Sequence, residues 1–155
     1  MPASHRLRKG RYSTEGGIYL LTSTTVNRQP FFTDPLLATA AARCFIRPEL
    51  LKSSALLCWV LMPDHVHWLL QLGQDDDLSA WAQRMKAVSA MEMNRLRGCK
   101  ESVWQSGFHD RAIRREEDVL PAARYIVANP LRAGLVRRVG DYPYWDAMWL
   151  QTDRD

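Results

Sequence analysis

Long apolar runs are absent from this chain of 155 residues, and their absence argues against a membrane-spanning protein. A transmembrane helix needs about 20 consecutive apolar residues, whereas the apolar stretch SALLCWVLM is ended by Pro63 and Asp64. The basic amino-terminal segment MPASHRLRKGR has no apolar stretch behind its charges, so we expect no secretory signal peptide. These features predict a cytoplasmic protein without membrane association.

Cysteine is also scarce. The chain contains Cys44, Cys58 and Cys99, an odd number at wide spacing with no C-x-x-C pair. This pattern indicates neither a disulfide framework nor a cysteine-ligated zinc cluster. Stability must therefore come from a packed core.

Length and composition indicate a single domain. Hydrophobic residues make up 46% of the chain and charged residues 25%, which is an ordinary globular mixture. We assign residues 16–150 to this domain, residues 1–15 to a basic arm and residues 151–155 to a tail.

Lysine is rare beside arginine. Of 21 cationic residues only four are lysines, which leaves 17 arginines, and the arginines cluster in segments that contain few acids. The planar guanidinium group suits bidentate contacts with phosphate oxygens. This asymmetry indicates a polyanionic partner, nucleic acid first. A solvated arginine-rich surface would give the same pattern.

Strand and helix patterns alternate along the chain. GGIYLLTSTTV, ALLCWVLM, HVHWLLQL and FHDRAIRR indicate four strands. The first predicted helix begins at a cap on Thr33 or Asp34 and has a break near Pro48. Further helices are predicted between Asp77 and Gly98, and over EEDVLPAARYIVAN before Pro130. The order β-α-β-β-α-β-α predicts an α+β, ferredoxin-like fold: a four-stranded antiparallel sheet with two helices on one face and an additional helix.

Histidine is limited to 4 residues, of which His65 and His67 lie in one predicted strand. Residues two apart in a strand project to the same face, so both imidazoles share a face while Val66 and Trp68 project to the other. Two imidazoles at this spacing suit a shared divalent cation. The alternative is a pair of partly exposed strand histidines, each hydrogen-bonded to a neighbour.

The segment ARYIVANPLRAGLV contains a second candidate group. Tyr125 and Asn129 are four residues apart and so share a helix face. Asn129 offers an oxygen ligand to a hard cation, and Tyr125 offers a nucleophilic oxygen. A phenol with a pKa of about 10 attacks a phosphate effectively only where a metal polarises that phosphate. The alternative is a surface tyrosine followed by an asparagine that ends the helix.

Three motifs in order, MPDHVHWLL, VWQSGFHDRAIR and ARYIVANPLRAGLV, resemble those of the REP-associated tyrosine transposases. These belong with the single-tyrosine insertion-sequence transposases in the HUH endonuclease superfamily. The resemblance extends from about Gly16 to Trp145, nearly the whole chain. Its second and third motifs together are more specific than the histidine pair.

The resemblance implies a role for each candidate residue. His65 and His67 match the histidines that bind the catalytic Mg²⁺ or Mn²⁺, and Asn129 matches a further metal ligand or near-ligand. Tyr125 matches the nucleophile, carried by the additional helix on the histidine face of the sheet. The possible accessory residues beside the cation are His109 and Asp110, although packing at the strand edge would explain both.

The resemblance also implies a substrate and a reaction. The expected partner is single-stranded DNA that adjoins a REP-like hairpin, cleaved and rejoined through a 5′-phosphotyrosine intermediate by a monomer or a homodimer. The candidate DNA-binding residues are cationic: Arg6, Arg8, Lys9 and Arg11 in the arm, and Arg111, Arg114, Arg115, Arg124 and Arg132 near the site.

Two other functions stay open at this point. A non-catalytic ferredoxin-like module would bind single-stranded nucleic acid on the same sheet. A metal-dependent hydrolase would cleave DNA with water and form no covalent adduct.

Overall fold

One antiparallel sheet of five strands forms the centre of the protein, for which a computed structural model describes residues 16–148. The strands are β1 (Ile18–Thr24), β2 (Ala55–Met62), β3 (His65–Gln71), β4 (His109–Ile113) and β5 (Trp145–Ala147). Their order across the sheet is β4-β1-β3-β2-β5. Strands β4-β1-β3-β2 have the order of a ferredoxin-like sheet, so the predicted fold class is confirmed.

The fifth strand extends the predicted four-stranded sheet. β5 pairs with the outer edge of β2, with Cys58 opposite Ala147 and Val60 opposite Trp145. Three residues are too few for an alternating pattern in the sequence, and the strand exists only because β2 offers it unpaired backbone groups.

The α-helices are α1 (Pro35–Phe45), α2 (Pro48–Leu51), α3 (Leu78–Arg97), α4 (Val119–Val127) and α5 (Asn129–Arg132). The predicted break near Pro48 is confirmed. Asp77 caps α3 by accepting a hydrogen bond from the backbone of Ala80, and Gly98 ends α3 in the left-handed conformation with φ 68°. In the described part of the chain, no helix is long and apolar enough to span a membrane.

The sheet separates two apolar clusters. On one face, Trp68 packs against Phe45 of α1 and Trp81 of α3, with ring centroids 5.4 and 5.2 Å apart respectively. On the other face, Val60 and the fully buried Ile126 belong to a smaller cluster that holds α4 against β2. The histidine face is therefore covered only in part, by the helix that carries Tyr125.

Two backbone segments approach closely where β3 ends. The backbone N–H of Gly73 donates to the hydroxyl of Ser54 at 2.9 Å. A Cβ atom at position 73 would lie 2.2 Å from the backbone carbonyl carbon and oxygen of Ser53, so only glycine fits here.

We predict that Gly73→Ala lowers the free energy of unfolding by about 1–3 kcal/mol, the usual range for overpacking. Gly140→Ala is the matched control, because a Cβ atom there would meet nothing within 4 Å. Thermal and urea denaturation followed by circular dichroism would measure both changes. Equal stability of the two variants would contradict the close approach.

Candidate functional site

The two histidines lie side by side on β3, on the face that α4 partly covers. Their ring centroids are 4.9 Å apart and the ring planes meet at 80°. In the sheet register, His67 lies between Thr22 of β1 and Val60 of β2. Trp68 is fully buried among the helices of the opposite face, as the strand alternation predicts.

Each imidazole has one ring nitrogen held by a neighbouring oxygen atom. His67 Nδ1 lies 2.7 Å from Thr22 Oγ1, and His65 Nδ1 lies 2.8 Å from Asp64 Oδ1. The other carboxylate oxygen of Asp64 accepts a hydrogen bond from Arg28 Nε at 3.0 Å. With Nδ1–H as the donor, each Nε2 keeps a lone pair, and metal-binding histidines are commonly held in this way.

Burial keeps His67 neutral. Desolvation, helped by the nearby His65 and Arg132, lowers the pKa of His67 to about 4. At neutral pH the imidazole therefore has the uncharged form that binds metals. The pKa of Asp64 is also lowered, because hydrogen bonds from His65 and Arg28 outweigh the opposing effect of burial.

The donor set at this position fits a cation only with additional ligands. Among residues 16–148, no group of three or more His, Cys, Asp or Glu side chains is arranged to hold a metal ion. Two imidazoles with available Nε2 atoms suit Mn²⁺ or Mg²⁺ if oxygen atoms complete the coordination. Asn129 is half-buried and begins α5, directly beyond the end of α4.

Tyr125 borders the same cleft as His67. This cleft has a volume of about 390 Å³ and is lined by residues of β1, β3, β4 and α4, among them Thr22 and His109. The Tyr125 side chain is 55% exposed, whereas the adjacent Ile126 is fully buried and anchors the helix. The fold thus brings a phenol and an imidazole from distant parts of the chain to one cleft.

The two predicted accessory residues differ in position. His109 is exposed on β4 and pairs with Thr22, which places it on the face of His67. Asp110 also borders the cleft, but it pairs with Leu21 and so belongs to the opposite face by strand alternation.

Several predicted DNA-binding arginines lie around a second cleft of about 540 Å³. It is lined by Arg111, Arg114, Arg115 and Tyr125, so the tyrosine borders both clefts. Arg115 forms ion pairs with Glu117 and Asp118.

The remaining predicted cations fall into two groups. Arg124 is exposed on α4, and the guanidinium carbon of Arg132 lies 3.8 Å from the centroid of the Tyr125 ring. The cationic residues of the predicted arm, Arg6, Arg8, Lys9 and Arg11, lie outside the described residues.

A family model described as IS200-like transposase matches residues 14–129. The chain belongs to the IS200-like transposase family. A REP-associated tyrosine transposase from Escherichia coli K12 is 30% identical over 139 residues, which cover 86% of this chain and 78% of the relative. A relative from Haemophilus influenzae is 28% identical over 142 residues, with coverage of 84% and 80%.

A solved structure of the REP-associated tyrosine transposase bound to a REP hairpin is also similar to this chain. The two share 28% sequence identity and a TM-score of 0.66, with 87% of this chain and 79% of that chain covered. The resemblance identified from the sequence motifs is therefore confirmed.

Two residues in the hydrogen bonds around the histidines were not predicted. Thr22 contacts His67 because β1 pairs with β3 in a particular register, and Arg28 reaches Asp64 from the turn after β1. A weak signal was present for Thr22, since strand alternation places Thr22 and Thr24 on one face of β1.

Proposed function

We propose that this transposase cleaves and rejoins single-stranded DNA beside a hairpin, with Tyr125 as the nucleophile. The observation that carries the proposal is the shared cleft, in which Tyr125 on α4 faces the wall of the sheet that contains His67. The relative whose structure contains a REP hairpin supports a hairpin as the partner. A non-catalytic binding module would have no need of a phenol beside an imidazole pair.

His65 and His67, with Asn129, would hold the divalent cation. When bound, Mg²⁺ or Mn²⁺ polarises a phosphate and stabilises the negative charge that develops on it. The chain's own residues prepare this position: Thr22 and Asp64 fix the imidazole planes and leave each Nε2 available.

The proposed cleavage is a transesterification. The Tyr125 oxygen attacks phosphorus, a bond from the phenol oxygen to phosphorus forms, and the bond from phosphorus to the 3′ oxygen breaks. The phenolic proton is lost to solvent and the leaving oxygen takes up a proton, so a 3′-hydroxyl results. Because one phosphodiester replaces another, a 3′-hydroxyl can reverse the step without ATP.

The arginine-lined cleft suggests the route of the DNA strand. Arg111 of β4 and Arg114 directly after it line a cleft that Tyr125 borders, so a strand with its scissile phosphate at the histidines would place neighbouring phosphates against them. Arg115 contributes less, because Glu117 and Asp118 already neutralise it. A cytoplasmic location, a monomeric or dimeric state and a DNA-binding arm stay predictions.

We predict that Tyr125→Phe binds hairpin DNA with unchanged affinity, forms no covalent adduct and cleaves at least roughly 10³-fold more slowly, since loss of a nucleophile has effects of this size. The assay uses an end-labelled hairpin with a single-stranded flank, with and without Mn²⁺, on a denaturing gel. Tyr144→Phe serves as the control, because it removes only a hydroxyl group from another tyrosine. The ring of Tyr144 packs edge-on against the ring of Tyr142, with the centroids 5.8 Å apart.

Other results of this assay would contradict the proposal or favour one of the two alternative functions. Equal cleavage by Tyr125→Phe would refute the nucleophile. Cleavage by the natural chain without a protein-linked product would favour a hydrolase that uses water. Tight binding of the hairpin with no cleavage in Mn²⁺ would favour the binding module.

We also predict that the natural chain binds Mn²⁺ and that His65→Ala or His67→Ala abolishes this binding. Thr22→Val and Asp64→Ala should each weaken binding about 10–100-fold, because each removes the oxygen that orients one imidazole. Isothermal titration calorimetry would measure the affinities. Thr24→Val is the matched control, since the Thr24 hydroxyl donates to Gln105 Oε1 at 2.8 Å and not to a histidine. Natural affinity in Thr22→Val would contradict the orienting role of Thr22.

A further inference from the structure

Arg132 lies directly over the ring of the proposed nucleophile. The carbon at the centre of its guanidinium group is 3.8 Å from the centroid of the Tyr125 ring, which is contact distance for a cation over an aromatic face. Tyr125 belongs to α4 and Arg132 ends α5, so the contact joins two helices across the turn at Ala128.

The ring that Arg132 covers borders the cleft lined by His67. Arg132 therefore contacts the phenol at the edge of the histidine site.

No carboxylate among residues 16–148 forms an ion pair with Arg132, in contrast to Arg28, Arg115 and Arg138, which pair with acids. The Arg132 side chain is also exposed, so the stability of the core does not depend on it. Its charge is therefore directed at the Tyr125 ring and the cleft beside it.

We propose that Arg132 is a positioning residue for Tyr125, an inference that rests on the proposed function. Stacking of the guanidinium holds the exposed phenol ring in one orientation at the cleft. In the rejoining direction, a 3′-hydroxyl loses its proton to solvent as it attacks phosphorus, its bond to phosphorus forms, and the bond to the Tyr125 oxygen breaks. The departing phenolate carries negative charge that spreads into the ring, where Arg132 lies against it.

A positioning role and a DNA phosphate contact would change different measured quantities. A phosphate contact acts on affinity and on its salt dependence. A contact with the nucleophile acts on the rate of the chemical step when DNA is saturating, because a misplaced reacting group loses rate without losing binding.

The test compares Arg132→Gln, Arg132→Lys and the matched control Arg137→Gln, which removes the same charge from an exposed position farther along the chain. Affinity for the flanked hairpin is measured in a Tyr125→Phe background, where no turnover occurs. Rates of adduct formation and of rejoining are measured in single turnovers with saturating DNA and Mn²⁺, and circular dichroism confirms that each variant is folded.

We expect Arg132→Gln to slow adduct formation and rejoining by about tenfold or more, while its affinity changes by less than about threefold. Arg132→Lys should recover only part of the rate, because an ammonium group cannot stack as a plane. Arg137→Gln should match the natural chain. Full rates in Arg132→Gln, or a loss confined to affinity, would overturn the inference.

A spectroscopic measurement makes the test independent of turnover. With ¹³C-labelled tyrosine, the Tyr125 ring signal is assigned by its disappearance in Tyr125→Phe. The chemical shift of this signal should change in Arg132→Gln and stay the same in Arg137→Gln. If the proposed function is wrong, Tyr125→Phe will still cleave DNA. If only the inference about Arg132 is wrong, Tyr125→Phe will be inactive, but Arg132→Gln will keep the natural rate or the natural ring signal.

Discussion

The register between β1 and β3 is the constraint on which the site depends. It places Thr22 opposite His67 and Leu21 opposite Trp68, so the oxygen that holds the imidazole and the apolar residues of the larger core are fixed together. A slip of one residue would exchange the two faces of a strand. It would move the tryptophan out of its cluster and the histidine into it, and both changes are costly. Burial of the core thereby fixes the orientation of the site.

One face of the sheet carries the larger apolar core, and the other face carries the candidate site. One face is covered by α1 and α3 around the buried pair Trp68 and Trp81. The other is covered by α4, a nine-residue helix held mainly by Ala122, Ala123 and Ile126. A helix attached by so few buried side chains leaves room beside it. That room is the cleft where the phenol and the imidazole meet.

Much of this arrangement could be predicted from sequence, because its determinants are local. Strand alternation gave the common face of His65 and His67, and the Asp77 and Gly98 caps gave the limits of the long helix. The strand β5 could not be found, because three residues have no periodicity and pair only across a long separation. The contact of Arg132 with Tyr125 depends on the turn between α4 and α5. The sequence therefore indicates a cation near Tyr125, but it does not indicate that the guanidinium lies over the Tyr125 ring.

The short strand at the border of the sheet also restricts how two copies could join. Cys58–Val60 of β2 are already occupied by β5, which itself offers only three residues as a template. Among residues 16–148, the longer free border belongs to β4, whose Arg111 lines both clefts. A neighbouring subunit that added a strand at β4 would cover the margin along which the DNA strand is proposed to run, so continuous-sheet assembly and the proposed substrate loading would oppose each other.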